Sequence, residues 1–426
     1  MAVMIFMRKL AAISLAGYFT CNSVTAAAQN NQLFIDPRIP AIDYFSAPSD
    51  VVTKLDGRLG AREIQLAYAE NTGYLRALLD ALDVPVESQI AVYSKTSLQK
   101  SLITSTNPRT IFFNDDVAVA WMAGGFIEVA ALDPQKGAVF YSLSQARNTA
   151  PRLRRELDCL NCHVAGQTGS IPGFLVNSIP TAVDGAILPW LGNSLTNHRS
   201  PLEERWGGWY VTGETSSPHQ GNMIVTSNNT AQLPQERPPP LASLAGQLDT
   251  KNYLSAYSDI VALLVFDHQM QMMNLLVRIG WEGKIAQQED PAEAASALRA
   301  TAIDVVDYML FVDEAPLTEV RGSSGFTELF NTRGPFDNRG RSLRTLELQS
   351  RLMRYPCSYM IYSAAFAALP DVAKTAVYLR LAEVLFGADQ SARYARFTKP
   401  MRQEIVDILR DTIVDLPDYF AGPLTY

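Results

Sequence analysis

Thr110-Ile111-Phe112-Phe113-Asn114-Asp115-Asp116-Val117-Ala118-Val119-Ala120-Trp121 holds two β-rich runs on either side of an Asn-Asp turn signal. The same pattern continues outward. Ile90-Ala91-Val92-Tyr93 precedes the pair, and Phe126-Ile127-Glu128-Val129 and Ala138-Val139-Phe140-Tyr141 follow it. Asn107-Pro108, Gly124-Gly125 and Asp133-Pro134 punctuate the gaps. Short β-branched and aromatic runs at this spacing predict a small antiparallel sheet over about residues 88–143.

On its N-terminal side, residues 62–82 show helical periodicity through Ile64, Leu66, Ala67, Leu75, Leu78, Leu79 and Leu82, after an irregular lead-in at 29–60. On its C-terminal side, residues 150–240 are rich in glycine and read as loop, closed by the stiff Pro238-Pro239-Pro240. Beyond it Ser258-Asp259 can cap a long helix, and further helices fit 292–311, 341–354, 358–368, 372–386 and 401–414. The expected fold is α+β and mostly helical, with a small antiparallel sheet near the N-terminus, a loop-rich central segment and a helical C-terminal half. Its regions are 1–28, 29–149, 150–240 and 241–426.

Composition narrows the class. Of 426 residues, 47% are hydrophobic and 19% charged, which excludes a disordered chain. The formal charge of −7 offers no basic groove for nucleic acid. Residues 1–28 read as a secretory signal: Arg8 and Lys9 form the positive end, 10–19 the apolar run, and Ala26-Ala27-Ala28 the cleavage site. An apolar run that short falls well below the roughly 20 residues a membrane span needs. No other stretch reads as a span, so the expected mature protein is exported, to the periplasm or beyond.

Cys21 would leave with the signal, and Cys159, Cys162 and Cys357 remain. Cys159-Leu160-Asn161-Cys162-His163 is C-x-x-C-H, the pattern that attaches c-type haem. Two thiols add across the two vinyl groups, and the following histidine reaches the iron as proximal ligand. A zinc site would want a second Cys/His pair at finger spacing. A thioredoxin-like pair would want a preceding strand within a βαβ frame, whereas residues 152–157 read as helical or irregular. A plain disulfide loop stays open. Cys357 reads as a small buried hydrophobe.

The sixth iron position decides between electron carriage and chemistry on a bound ligand. The candidates are His219 and Met223 in Pro218-His219-Gln220-Gly221-Asn222-Met223, His268 on the long helix, and His198. Arg199 and Arg205 are candidate partners for haem propionates, because arginine binds carboxylates bidentately. For each the plain alternative is packing: a core methionine, a satisfied core histidine, a surface turn.

The C-x-x-C-H motif, Pro172-Gly173, Asn197-His198-Arg199 with Pro201, Glu203-Glu204-Arg205-Trp206-Gly207-Gly208-Trp209-Tyr210-Val211-Thr212-Gly213, and His219 with Gly221-Asn222 resemble a group of exported bacterial single-haem cytochrome c domain-containing proteins of undefined reaction. The likeness extends to His268-Gln269, Arg339-Gly340-Arg341-Ser342-Leu343 and Tyr355-Pro356-Cys357-Ser358-Tyr359. Asn197 stands where that group usually has Asp, and Met273 where it has His. The resemblance implies one covalent haem c, electron transfer and a redox partner protein. The alternative is a peroxidase-like haem oxidoreductase, or a gas or redox sensor with an open distal iron site. Whether the chain is an enzyme stays undecided at this level.

Overall fold

Strands dominate the N-terminal half of the chain and helices the C-terminal half, and both build one unit in the computed structural model, which describes residues 35–147, 150–226 and 230–423. The signal-peptide reading, with Cys21, lies outside the described residues. The strands are β1 Ile90–Val92, β2 Arg109–Phe113, β3 Val117–Trp121, β4 Ile127–Asp133, β5 Gly137–Leu143, β6 Leu153–Arg155, β7 Asn177–Ser178, β8 Thr181–Ala182, β9 Ser194–Leu195, β10 Trp209–Tyr210 and β11 Ile224–Val225. Seven of them form one antiparallel sheet in the order β10-β1-β2-β3-β4-β5-β6. The helices are α1 Val51–Gly60, α2 Leu75–Ala81, α3 Leu160–His163, α4 Ile260–Ala286, α5 Pro291–Met309, α6 Phe326–Thr332, α7 Ala364–Ala367, α8 Asp371–Leu385 and α9 Lys399–Thr412.

This corrects the expected fold class. Helix makes up 35% and strand 15%, so the chain is not mostly helical, and a sheet of seven strands is not small. The five central strands lie where their pattern places them. The two edge strands come from segments that read as loop or helix. Strands of two or three residues carry no period to detect. They are recruited because the open edges of β1 and β5 present backbone N–H and C=O groups that need partners. Through β10, the segment expected to be loop is hydrogen-bonded to the N-terminal region, with Ala91 opposite Tyr210.

Three helix expectations also change. Within 62–82 only α2 is helical, and a helix absent from the lead-in reading, α1, forms at Val51–Gly60. Its cap is Asp50, whose carboxylate accepts from the Val52 and Thr53 N–H groups at 2.8 and 2.9 Å. Residues 341–354 form turns, and 358–368 shrink to a 3₁₀ turn and α7.

The two faces of the sheet are unlike. On one, Val117, Val119, Val129, Ala131 and Val139 are buried, and Tyr141 reaches Asp50 and Thr53 beside α1. The opposite face carries α4 at one side, with Phe266 ring-to-ring on Phe113 at 5.0 Å. In its middle, Ala118, Glu128 and Ala130 are only half-buried.

Length and composition alone would let α4 cross a membrane, contrary to the reading that no other stretch could, but 89% of its apolar window is buried inside this fold. Asp259 fixes its start. One carboxylate oxygen accepts from Val261 and Ala262 in the first turn, and the other from the Ser323 and Ser324 N–H groups at 2.6 and 2.7 Å. Asp259→Ala orphans all four donors, at about 1–3 kcal/mol for each that stays dry. The expected loss in urea unfolding is about 3 kcal/mol or more, with Asp259→Asn losing less. A loss under about 1 kcal/mol would show that the cap does not organise this end.

Candidate functional site

The C-x-x-C-H motif occupies a single helical turn. Cys159 is the residue before α3, and Cys162 and His163 fall in its four residues. Residues three apart in a helix are neighbours on one side, so the two thiols face the same way. Both are free; Cys162 is exposed and Cys159 half-buried. Burial pushes the Cys159 thiol up to about 11, with the carboxylates of Glu128, Glu156 and Asp158 adding to it. Redox-active cysteine pairs depend on the opposite, a depressed thiol, so the environment argues against thiol exchange. Among the described residues, no group of three His, Cys, Asp or Glu side chains is gathered for a metal ion, which leaves the zinc reading without a ligand set.

His163 is anchored from behind. Its Nδ1 lies 2.8 Å from the Gly173 carbonyl oxygen, and the Gly173 N–H donates to the His163 carbonyl at 3.0 Å. A carbonyl only accepts, so Nδ1 carries the proton and Nε2 keeps its lone pair. That is the arrangement in which a ligating imidazole is held by its second nitrogen. The ring also packs on Phe140 of β5, with centroids 4.4 Å apart. Burial lowers the His163 pKa, keeping the imidazole neutral and able to ligate. These residues fit a covalently attached haem: two unpaired thiols on one side of a turn, and a neutral imidazole whose free nitrogen is Nε2.

The anchor reaches the core. Asn274 of α4 accepts from the Phe174 N–H at 2.8 Å and donates to the Phe174 carbonyl at 2.9 Å, fixing the residue next to Gly173. Asn274, Phe140 and Gly173 escaped the sequence reading as site residues. The Pro172-Gly173 turn was the available signal, and nothing local marks Asn274.

The other candidates lie elsewhere. His198 and His268 are fully buried and bonded to each other, Nδ1 to Nδ1, at 2.8 Å. His268 Nε2 meets the Ser358 hydroxyl at 2.7 Å, and both rings stack with Tyr308 and Phe311. Burial drives His268 down to about 3 and His198 well below its ordinary value, so both are neutral. Arg205 donates to the Ser200 and His198 carbonyls and pairs with Asp267 at 3.4 Å, with both side chains buried. Trp206 Nε1 shares that carboxylate at 3.0 Å. Burial still holds Asp267 up at about 7, so desolvation outweighs the ion pair. Arg199 donates to the Val312 carbonyl and lies over the Tyr308 ring. The Met223 sulfur accepts from Arg237 at 3.6 Å. His219 differs: its ring nitrogens are buried without a well-formed hydrogen bond, the Gly221 backbone lying close, and burial lowers it to about 4. Among the described residues, no hydrogen bond or ring contact joins these side chains to His163 or the two cysteines. Cys357 is buried, its thiol pushed up to about 12 by burial.

Comparison of the chain with protein-family models, with curated proteins and with solved structures finds no match.

The depressed histidine gives a pH prediction with a definite sign. His219 is neutral when folded and regains its ordinary affinity for a proton, near pH 6.5, when unfolded. Its contribution to stability is present above pH 6.5 and is lost as pH falls toward about 4. In the Cys159→Ala/Cys162→Ala background, adding His219→Gln should shrink the stability loss between pH 7 and 4 by on the order of 3 kcal/mol. Equal losses in the two proteins would mean that His219 is not buried uncharged.

Proposed function

We propose that the chain is an exported c-type cytochrome with one haem covalently held by Cys159 and Cys162 and ligated by His163, acting in electron transfer with a redox partner protein. It is read as a member of the single-haem cytochrome c domain group that its motifs resemble. The observation that carries this is the fixed proton on His163: Gly173 takes Nδ1–H, and Nε2 is left as a base beside two unpaired thiols. When bound, the haem supplies reversible one-electron exchange at its iron. The chain's own residues do the rest. Asn274 and Gly173 orient the imidazole, Phe140 backs it, and burial keeps it neutral. Cys159 is held as a thiol, the state least prone to close a disulfide with Cys162 before the haem arrives.

One observation favours a second reading. His268 and Met223 are satisfied by protein partners, and His198, although its Nε2 has none, is fixed through Nδ1 to His268 and stacked on Tyr308 and Phe311, so His219 is the distal candidate with neither ring nitrogen in a well-formed hydrogen bond. If His219 does not reach the iron, the distal position is open, as a haem oxidoreductase or a gas or redox sensor requires.

Expressed in a host that matures c-type haem, the protein should stain for haem after denaturation, and Cys159→Ala/Cys162→Ala should abolish the stain. Staining that survives in the double variant would sink the assignment. A low-spin ferric spectrum, unmoved by carbon monoxide on reduction and converted to high spin by His219→Ala, is the outcome for an electron carrier. A high-spin spectrum that responds to carbon monoxide selects the open-site reading.

A further inference from the structure

The sheet leaves one stretch of its surface unfilled beside the motif. Phe113, Ala118, Ala130 and Phe140 lie opposite one another in a row across β2, β3, β4 and β5. Ile111, Ala120, Glu128 and Ser142 form the next row. A single row crosses three strand spacings, about 14 Å. The outer residues Phe113, Phe140 and Ile111 are large, and those on the two central strands are alanine or the half-buried Glu128. An antiparallel sheet can bury one face and leave the other open, and the buried side of these two strands is valine and alanine. Ala118 and Ala130 are partly exposed between the buried rings of Phe113 and Phe140, so small side chains between large ones leave the middle of this face as a shallow hollow floored by methyl groups.

The hollow adjoins the motif. Phe140, against which the His163 ring packs, is the cross-strand neighbour of Ala130. The charges of Arg109 and Glu128 are both felt at His163, and that of Glu128 at Cys159. Arg109 donates one bond, from Nη1 to Glu128 at 3.1 Å, while its Nε is buried with no partner. Glu128 has other donors, the Ser97 hydroxyl and the Gln99 amide. A buried guanidinium N–H without an acceptor costs free energy that an anion would relieve.

Resting on the haem reading above, we propose that the porphyrin tethered at Cys159 and Cys162 occupies this hollow, packed over Ala118 and Ala130, and that Arg109 binds one of its propionates. The arginines of the 198–205 segment are poorer partners: Arg205 is already bonded through Nε, Nη1 and Nη2, and Arg199, although its Nη2 is unpartnered, is held over Tyr308 and on the Val312 carbonyl beside the His198–His268 pair. Arg109 thereby sets the charge next to the cofactor. Its cation favours the reduced iron and holds the propionate ionised.

The test compares mature wild-type protein with Ala118→Leu/Ala130→Leu, Arg109→Gln and Arg199→Gln. Leucine at the two open positions should leave the haem-free fold unchanged by circular dichroism. It should cut covalent haem per chain several-fold or shift the Soret band. Arg109→Gln should lower the midpoint potential and move the pH at which that potential begins to fall to higher values; Arg199→Gln should do neither. The placement is overturned if the leucine variant carries full haem with an unaltered spectrum and Arg109→Gln leaves the potential and its pH profile unmoved. In that case the attachment reading stands. Wild-type protein without haem overturns both. Should the leucine variant misfold, the two arginine variants decide the matter alone.

Discussion

A helix buried on nearly every side cannot carry polar side chains without partners, and α4 carries five in a row of turns: Asp267, His268, Gln269, Asn274 and Arg278, all buried. Each unmatched group would cost on the order of a few kcal/mol, so each acts as a peg for a segment of chain. Asp267 holds Arg205 and Trp206. His268 holds His198 and Ser358. Gln269 donates to the Asn114 carbonyl and accepts from Tyr359, tying the β2–β3 turn to the C-terminal half. Asn274 fixes Phe174, and Arg278 donates to the Gly169 carbonyl. A central segment with little regular structure is thus fixed from within, and its glycines and prolines are compatible with one defined path.

The same logic positions the motif. A four-residue helix has no stability of its own. Its conformation follows from contacts at its ends: the Gly173 carbonyl on the His163 ring, Phe140 beneath it, and Asn274 holding the neighbour of Gly173. The path from α4 to the His163 ring therefore runs through two side chain–backbone contacts. Rigid backing of this kind is what a metal ligand needs, since ring orientation and tautomer are set by the bond on the far nitrogen. The surface position of Cys162 is consistent with this. The proposed haem attachment would require the thiols to be reached, which a core site would prevent.

Much of this was legible from the chain. The β-rich runs between 90 and 143 fell where strands β1 to β5 form, because five to seven residues of alternating or continuous apolar character are enough to show a period. The start of α4 was marked by Asp259. The edge strands β6 and β10 were not, since pairing there is dictated by the neighbouring edge rather than by their own residues. The 62–82 periodicity misled for a related reason. Apolar residues at helical spacing also arise where an irregular segment drops single side chains into a core, as Leu66 does. For the candidate site, the cysteines and His163 were open to proposal from the sequence because their spacing is local. Phe140, Asn274 and Arg109 were not, because what makes them relevant is proximity created by the fold.

The bunching of histidines illustrates the difference. The four histidines fall within 105 residues, and His198, His219 and His268 each read as a candidate for the one sixth position. Three of them are fully buried, and two of those are bonded to each other between aromatic rings. In that setting a histidine is a flat, neutral, hydrogen-bonding core residue, and its depressed pKa records burial rather than ligation. Proximity in sequence arose because α4 and the central segment pack together, which draws buried polar residues to both. His163 is set apart by a different feature: a half-exposed ring with one nitrogen committed to a backbone carbonyl, and unpaired thiols on the same turn. Burial alone therefore does not separate these histidines, since it lowers the pKa of His163 as well, and the neighbouring thiols are what distinguish the ring proposed as a ligand.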